Sequence, residues 1–375
     1  MSAARLVANL GATGKNVLLD ITAGDALEAG GTCNIAAGLN ALGAATTGDD
    51  NVAIGRLAIG VGTLTGVDNV GIGREAGNDL TSGVENVFVG LGSGGNSTSG
   101  TRNIALGSNT LGGAITTGDN NIALGFNAMD ALTSGHSNIA IGKDAYGAAT
   151  IGIKNIMIGC NVANGITTGQ ADENIAIGTY ALTGNASTTG NRNVAIGYGA
   201  FDAITTGACN VAIGENALGA STTGSQNIAI GRLALGGADT TGTDNIAMGT
   251  NSADAMTSGA CNVAIGYTTL SASTDGVNNV AIGNGALATS DGDGDSNIAI
   301  GRLTMSNADV SGSNNVALGN VAGFGITSGG DNISIGRAAL CATVTGSNNI
   351  AMGQAAADAI TSGACNVAIG INALS

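Results

Sequence analysis

The sequence predicts an all-β fold, a parallel β-solenoid or β-roll of about 20 coils with 17–18-residue repeats. Three observations lead there. The pentapeptide Asn-(Val/Ile)-x-x-Gly occurs 20 times, beginning at Asn34 and ending with the copy at Asn366. The 19 intervals between copies span 332 residues, a mean period of about 17.5. The chain of 375 residues contains 66 Gly, no Pro or Trp and only 2% aromatic residues, so any interior must be narrow and filled by small and medium aliphatic side chains.

The repeat divides the chain into a degenerate N-terminal stretch, residues 1–33, and a repetitive solenoid, residues 34–375. In the first stretch Asn16-Val17-Leu18-Leu19 reads as an imperfect first coil, and Ala8 to Gly14 as the second half of another. Within a regular unit, with Asn as position 1, position 2 is Val or Ile in all 20 copies and position 5 is always Gly. Position 4 is Ile, Leu, Val or Met except at Ala37. This is a short β-branched strand closed by a turn. A small residue followed by Leu, Met or Phe comes next, as at Ala217-Leu218 and Ala200-Phe201, and the unit closes on Thr-(Thr/Ser)-Gly, as at Thr205-Thr206-Gly207.

A 17-residue unit is too short for a strand, a packed helix and a return, and its Gly and Thr content opposes helix. Stacked coils answer both constraints. At roughly 4.8 Å per coil the chain makes a rod about 100 Å long. Identical positions then form ladders. The Asn side chains, exemplified by Asn51, Asn121, Asn210, Asn262 and Asn366, are expected to stack and satisfy turn groups that the sheet does not reach. A superperiod of 52 residues, as from Asn193 to Asn245, Asn297 and Asn349, reads as duplication of three-coil blocks.

Alternation places position 3 opposite positions 2 and 4. Position 3 is Ala in 16 of 20 units, the others being Gly71, Phe88, Met157 and Ser334, so the strand has no polar face and reads as buried on both sides. The Ala row, represented by Ala53, Ala123, Ala212, Ala264 and Ala368, is therefore expected to be an assembly face covered by further copies, as a trimer around a three-fold axis. The half-coils at the two ends suggest head-to-tail stacking into a filament.

Composition excludes several functions. The net charge of -15, with no Lys/Arg run, disfavours a nucleic-acid partner. No apolar stretch reaches about 18 residues, so no membrane insertion is expected, and no classical signal peptide is visible. The single His136 lies in a turn without a second His, and no catalytic set is apparent, so the chain does not read as an enzyme. The Gly-rich segments lack a phosphate-loop Lys. A Ca²⁺ site at Asp291, Asp293 and Asp295 is the one metal candidate, although the stretch lacks the turn Gly and distal Glu of an EF-hand loop; no other cofactor is implied. Cys33, Cys209, Cys261 and Cys365 precede a repeat Asn and sit at least three coils apart, beyond disulfide reach within one chain. The Thr residues are adjacent, as in Thr222-Thr223, so an ice-binding lattice would have one rank of hydroxyls per face.

With that unit in hand, Asn210-Val211-Ala212-Ile213-Gly214-Glu215-Asn216-Ala217-Leu218 and its companions resemble the head repeats of trimeric autotransporter adhesins, and still more the long arrays of phage tail fibres. The resemblance covers nearly all of residues 34–375 and implies a trimeric β-roll used as a structural or adhesive fibre, located on a virion or outside a cell. The unit is longer than the autotransporter head repeat, and no stalk or anchor is visible. The reading is a self-assembling, non-enzymatic fibre protein, a scaffold or an adhesin for a cell-surface glycan or receptor. The alternatives are an ice- or surface-binding solenoid and a calcium-dependent carbohydrate binder.

Overall fold

A computed structural model describes residues 16–27, 31–167, 170–290, 294–307 and 309–375. It is a parallel β-solenoid. Its 21 strands run from β1 (Val17–Leu18) and β2 (Ile35–Ala37) to β21 (Val367–Ile369), and β2 to β21 are all triplets at repeat positions 2–4. The coils fall into two compact units, Met1–Thr189 and Gly190–Ser375. The first holds β1 to β10 (Ile175–Ile177) and the second β11 (Val194–Ile196) to β21. Inside each unit every strand pairs in parallel with the next, in exact repeat register. Val211 lies beside Ile228, Ala212 beside Ala229 and Ile213 beside Ile230. The imperfect first coil at Asn16 joins this ladder, Val17 pairing with Ile35, whereas Ala8 to Gly14 lies outside the described residues.

The ladder is longer than the three-residue strands. The N–H of the residue before each Asn, of position 5 and of position 7 also donates to the preceding coil: Gln226 to Ala208 O, Gly231 to Ile213 O and Leu233 to Glu215 O, all at 2.8–3.0 Å. Gly at position 5 is dictated locally. Gly214 has φ +135°, and a Cβ there would stand 2.6 Å from the Gly231 carbonyl oxygen of the next coil.

The interior reverses one expectation. Ala53, Ala123, Ala212 and Ala264 are fully buried and Ala368 is 3% exposed, so the position-3 row lies inside the coil and cannot be the assembly face. Alternation fixes that positions 2 and 4 share a side; the width of the coil decides which side is inside. Two backbone walls enclose little space, and position 9 fills most of it with a buried Leu, Met, Tyr or Phe, such as Leu218, Met129, Tyr146 or Phe201. Only a small residue fits opposite, Ala in most coils and Ser334 beside Leu340. Where position 3 is large, position 9 is small: Phe88 goes with Gly94 and Met157 with Ala163. A Cβ on Gly94 would lie 2.6 Å from the Phe88 ring, so the ring occupies the space that Leu takes elsewhere. Position 9 reaches inward through a left-handed backbone, with φ +51° at Leu218 and +50° at Phe201.

Candidate functional site

Within each unit the Asn column is an internal brace. Asn210 receives support from below and gives it above: its N–H and Nδ2 donate to Asn193 Oδ1 at 2.9 and 3.1 Å, and Nδ2 also donates to Gly224 O at 2.9 Å. Its own Oδ1 accepts the Asn227 N–H at 2.9 Å. Asn51, Asn121 and Asn262 repeat this pattern, with Nδ2 on the preceding Asn Oδ1 at 3.2, 3.1 and 3.0 Å. Asn366 donates to Asn349 Oδ1 at 2.9 Å. The cause lies one residue earlier, where a left-handed bend (φ +60° at Cys209) turns the Asn N–H away from the backbone ladder. The side-chain amide of the neighbouring coil meets it, so a buried donor that would otherwise be orphaned is paired.

Side chains at the even positions of the ladder point outward. Counting the residue before Asn as position 0, the outward row reads polar at 0, Val or Ile at 2, Ile, Leu, Val or Met at 4 except Ala37, and mostly polar, charged or Tyr at 6, with Leu39, Leu91, Phe126 and Ile371 the exposed apolar exceptions. Ile104 and Leu106 are 43% and 44% exposed, with β7 (Ile122–Leu124) beside them showing the same pattern. The flanks of these side chains shield each other up the stack, and only their tips meet solvent. Two unbroken apolar columns thus run along each unit. At about 10 Å across and 4.8 Å per rung, the nine triplet strands of the first unit and the eleven of the second each present on the order of 500 Å².

The edges of this face differ in charge. Arg5 and Lys15 lie outside the described residues, and the remaining nine of the 11 Lys/Arg all stand in the two columns that border the apolar ones. Position 6 carries Arg56, Arg74 and Lys143 in the first unit and Arg232, Arg302 and Arg337 in the second, against one acid, Glu215. Position 0 carries Asp50, Asp68, Glu85 and Glu173 in the first unit and Asp244 and Asp331 in the second, against Arg102, Lys154 and Arg192. Glu85–Arg102 (3.9 Å) and Lys154–Glu173 (3.5 Å) pair within the acidic column. Among the described residues Asp50, Asp68, Asp331 and Arg337 have no ion partner.

Other sequence candidates are not brought together. Asp291 and Asp293 lie outside the described residues, and Asp295 Oδ1 accepts the Val277 N–H at 2.7 Å. Among the described residues no group of three His, Cys, Asp or Glu converges. His136 is exposed, with one ring nitrogen 3.4 Å from Ser137 Oγ. Cys33, Cys209, Cys261 and Cys365 are exposed free thiols in the position-0 column, and burial pushes the Cys341 thiol up. In the pair Thr205-Thr206 the first hydroxyl is consumed by the stack, Thr205 Oγ1 donating to Thr222 O at 2.9 Å, while Thr206 stands exposed. Among the described residues no helix is long and apolar enough to cross a membrane.

Two side chains interrupt the pattern inside. Tyr146 is buried at position 9, its hydroxyl accepting from Asn155 Nδ2 at 3.0 Å, and desolvation holds its pKa well above the ordinary phenol value. Asp130 is half-buried; burial raises its carboxyl above the usual range, the Gly113 N–H partly offsets this, and Oδ1 has no hydrogen-bond partner.

Fold and face together define a repeat-built β-solenoid with an outward apolar sheet. The chain matches no family model and no curated protein.

Proposed function

We propose that this chain is a non-enzymatic structural protein that self-assembles through its outward Val/Ile face, forming a scaffold or adhesive fibre on a virion or outside a cell. The observation that carries the reading is the pair of unbroken apolar columns at positions 2 and 4. Within each unit they cover on the order of 500 Å², a contiguous exposed apolar patch of the size that marks an interaction site. A solvated strand face would carry alternating polar residues there. A homotrimer suits the dimensions. Three flat faces turned toward a common axis, each about 5 Å from it (half the spacing of packed sheets), form a triangle with sides of about 17 Å. The outward row from position 0 to position 6 spans about 20 Å.

Sedimentation analysis tests this. The wild-type chain, 35.7 kDa, is expected to sediment as an oligomer, and the variant Ile196→Lys, Ile230→Lys, Ile265→Lys as a monomer with unchanged far-ultraviolet circular dichroism. These part-buried side chains point out of the coil and fill none of its interior, and the Lys stems still cover the neighbouring flanks. A wild-type chain that stays at 35.7 kDa over the accessible concentration range overturns the reading.

A further inference from the structure

Given that self-assembly reading, on which this step rests, we infer that the copies associate in parallel and in register, the basic edge of one face lying against the acidic edge of the next. The argument is one of charge placement. A closed assembly whose axis runs along the coil stack, whether two faces back to back or three around an axis, brings position 6 of each copy to position 0 of its neighbour. Antiparallel association brings position 6 to position 6, setting six cations and one acid against the same set. Like charges so placed oppose association, and opposite charges fix register more than they add affinity.

The in-register arrangement can be read rung by rung. In the first unit it sets Asp50 against Arg56 and Asp68 against Arg74 of the neighbouring copy, and in the second Asp331 against Arg337. On no rung do positions 0 and 6 carry the same sign. Sliding one copy by one coil, so that position 0 meets position 6 of the coil below, also makes three opposite-charge rungs, Asp68 with Arg56, Glu85 with Arg74 and Asp244 with Arg232. It sets Lys154 against Lys143, however, a like-charge rung that the in-register arrangement avoids. Sliding it the other way retains two opposite-charge rungs, Asp50 with Arg74 and Arg192 with Glu215, in place of three. Asp50, Asp68 and Asp331, which have no ion partner among the described residues, are each supplied with an Arg by the in-register arrangement, although Arg56 and Arg74 also reach Glu75 of their own chain at 2.9 and 4.0 Å.

The native Cys261 provides the test, because it is an exposed thiol in the position-0 column, in the same coil as Tyr267 at position 6. Within one chain the two positions are about 20 Å apart, so they cannot bond to each other. A full-length chain with the other five Cys changed to Ser and Tyr267→Cys is mildly oxidised with a small-molecule disulfide, and its mass is followed on non-reducing gels and by sedimentation. The expected result is near-complete conversion of protomers to covalent oligomers, absent when either thiol is missing. An oligomer on sedimentation that does not cross-link overturns the inference while leaving self-assembly standing. So does one that cross-links instead through Asn284→Cys, one coil further along. A monomer on sedimentation overturns self-assembly itself.

Discussion

The coil begun by Asn86 and the coil begun by Asn210 share an outline but fill it from opposite walls. In the first the strand supplies the bulk, Phe88, and the turn supplies Gly94; in the second the strand supplies Ala212 and the turn Leu218. All three side chains are fully buried. These two coils trade bulk between facing walls; elsewhere neighbouring coils share it, as where Gly71 and Gly77 face each other and Ile59 and Phe88 of the adjacent coils reach into the space.

Breaking that balance has the largest expected effect. Phe88→Ala leaves Gly94 facing an empty space and is expected to cost about 3–5 kcal/mol in a denaturant titration. Adding Gly94→Leu should recover a substantial part, since Leu218 occupies the same position with the same left-handed backbone (φ +51° against +59° at Gly94). If the double variant is no more stable than Phe88→Ala, the two walls do not trade volume.

The Asn column sharpens the comparison, because it is identical in both coils. Asn86→Ala and Asn210→Ala each remove the acceptor for the next coil's N–H and a donor to a Gly carbonyl, and should cost about 2–3 kcal/mol each. Equal losses are expected despite the different interiors. A loss confined to one coil would show that the brace depends on what it encloses.

The smallest effect concerns Asp130. Its folded pKa is raised above the model-compound value of 3.8, so the folded state holds its proton more tightly than the unfolded chain. The contribution of Asp130 to stability is therefore greatest at pH values below 3.8 and is lost as pH rises through its elevated folded value. Asp130→Asn should be slightly more stable than wild type at neutral pH, within about 0.5 kcal/mol, with the difference vanishing in acid. An unchanged difference between pH 3 and pH 7, roughly the two sides of that window, would assign the effect to packing.

Much of this was legible in the sequence. Asn210-Val211-Ala212-Ile213-Gly214 announces strand, period and turn, and the parallel register follows because each coil can rest only on its neighbour. The facing of the strand is not legible from hydrophobicity, because Val211 and Ile213 are bulky and apolar and Ala212 is small. Hydrophobicity alone assigns the larger pair to the interior, whereas the narrow coil admits only the smaller residue. Two signals pointed the other way. Phe88 and Met157 coincide with Gly94 and Ala163 six residues on, as facing interior positions would. Extending the alternation from Val211 and Ile213 reaches Cys209 and Glu215, polar residues that mark the outside. The left-handed bends at Cys209, Asn216 and Leu218 had no sequence signal beyond the Asn.

Those bends govern how such a chain comes into being. A coil with three non-Gly residues held at positive φ, each costing roughly 1–2 kcal/mol when free, has no reason to form by itself. It becomes favourable only when laid on a coil already in place, whose carbonyls and Asn Oδ1 are waiting. Formation is then a matter of one difficult start followed by easy copying, and a coil inserted or deleted whole leaves every junction chemically unchanged. Length becomes something that gene duplication can set in steps, and the 52-residue blocks are consistent with its having done so.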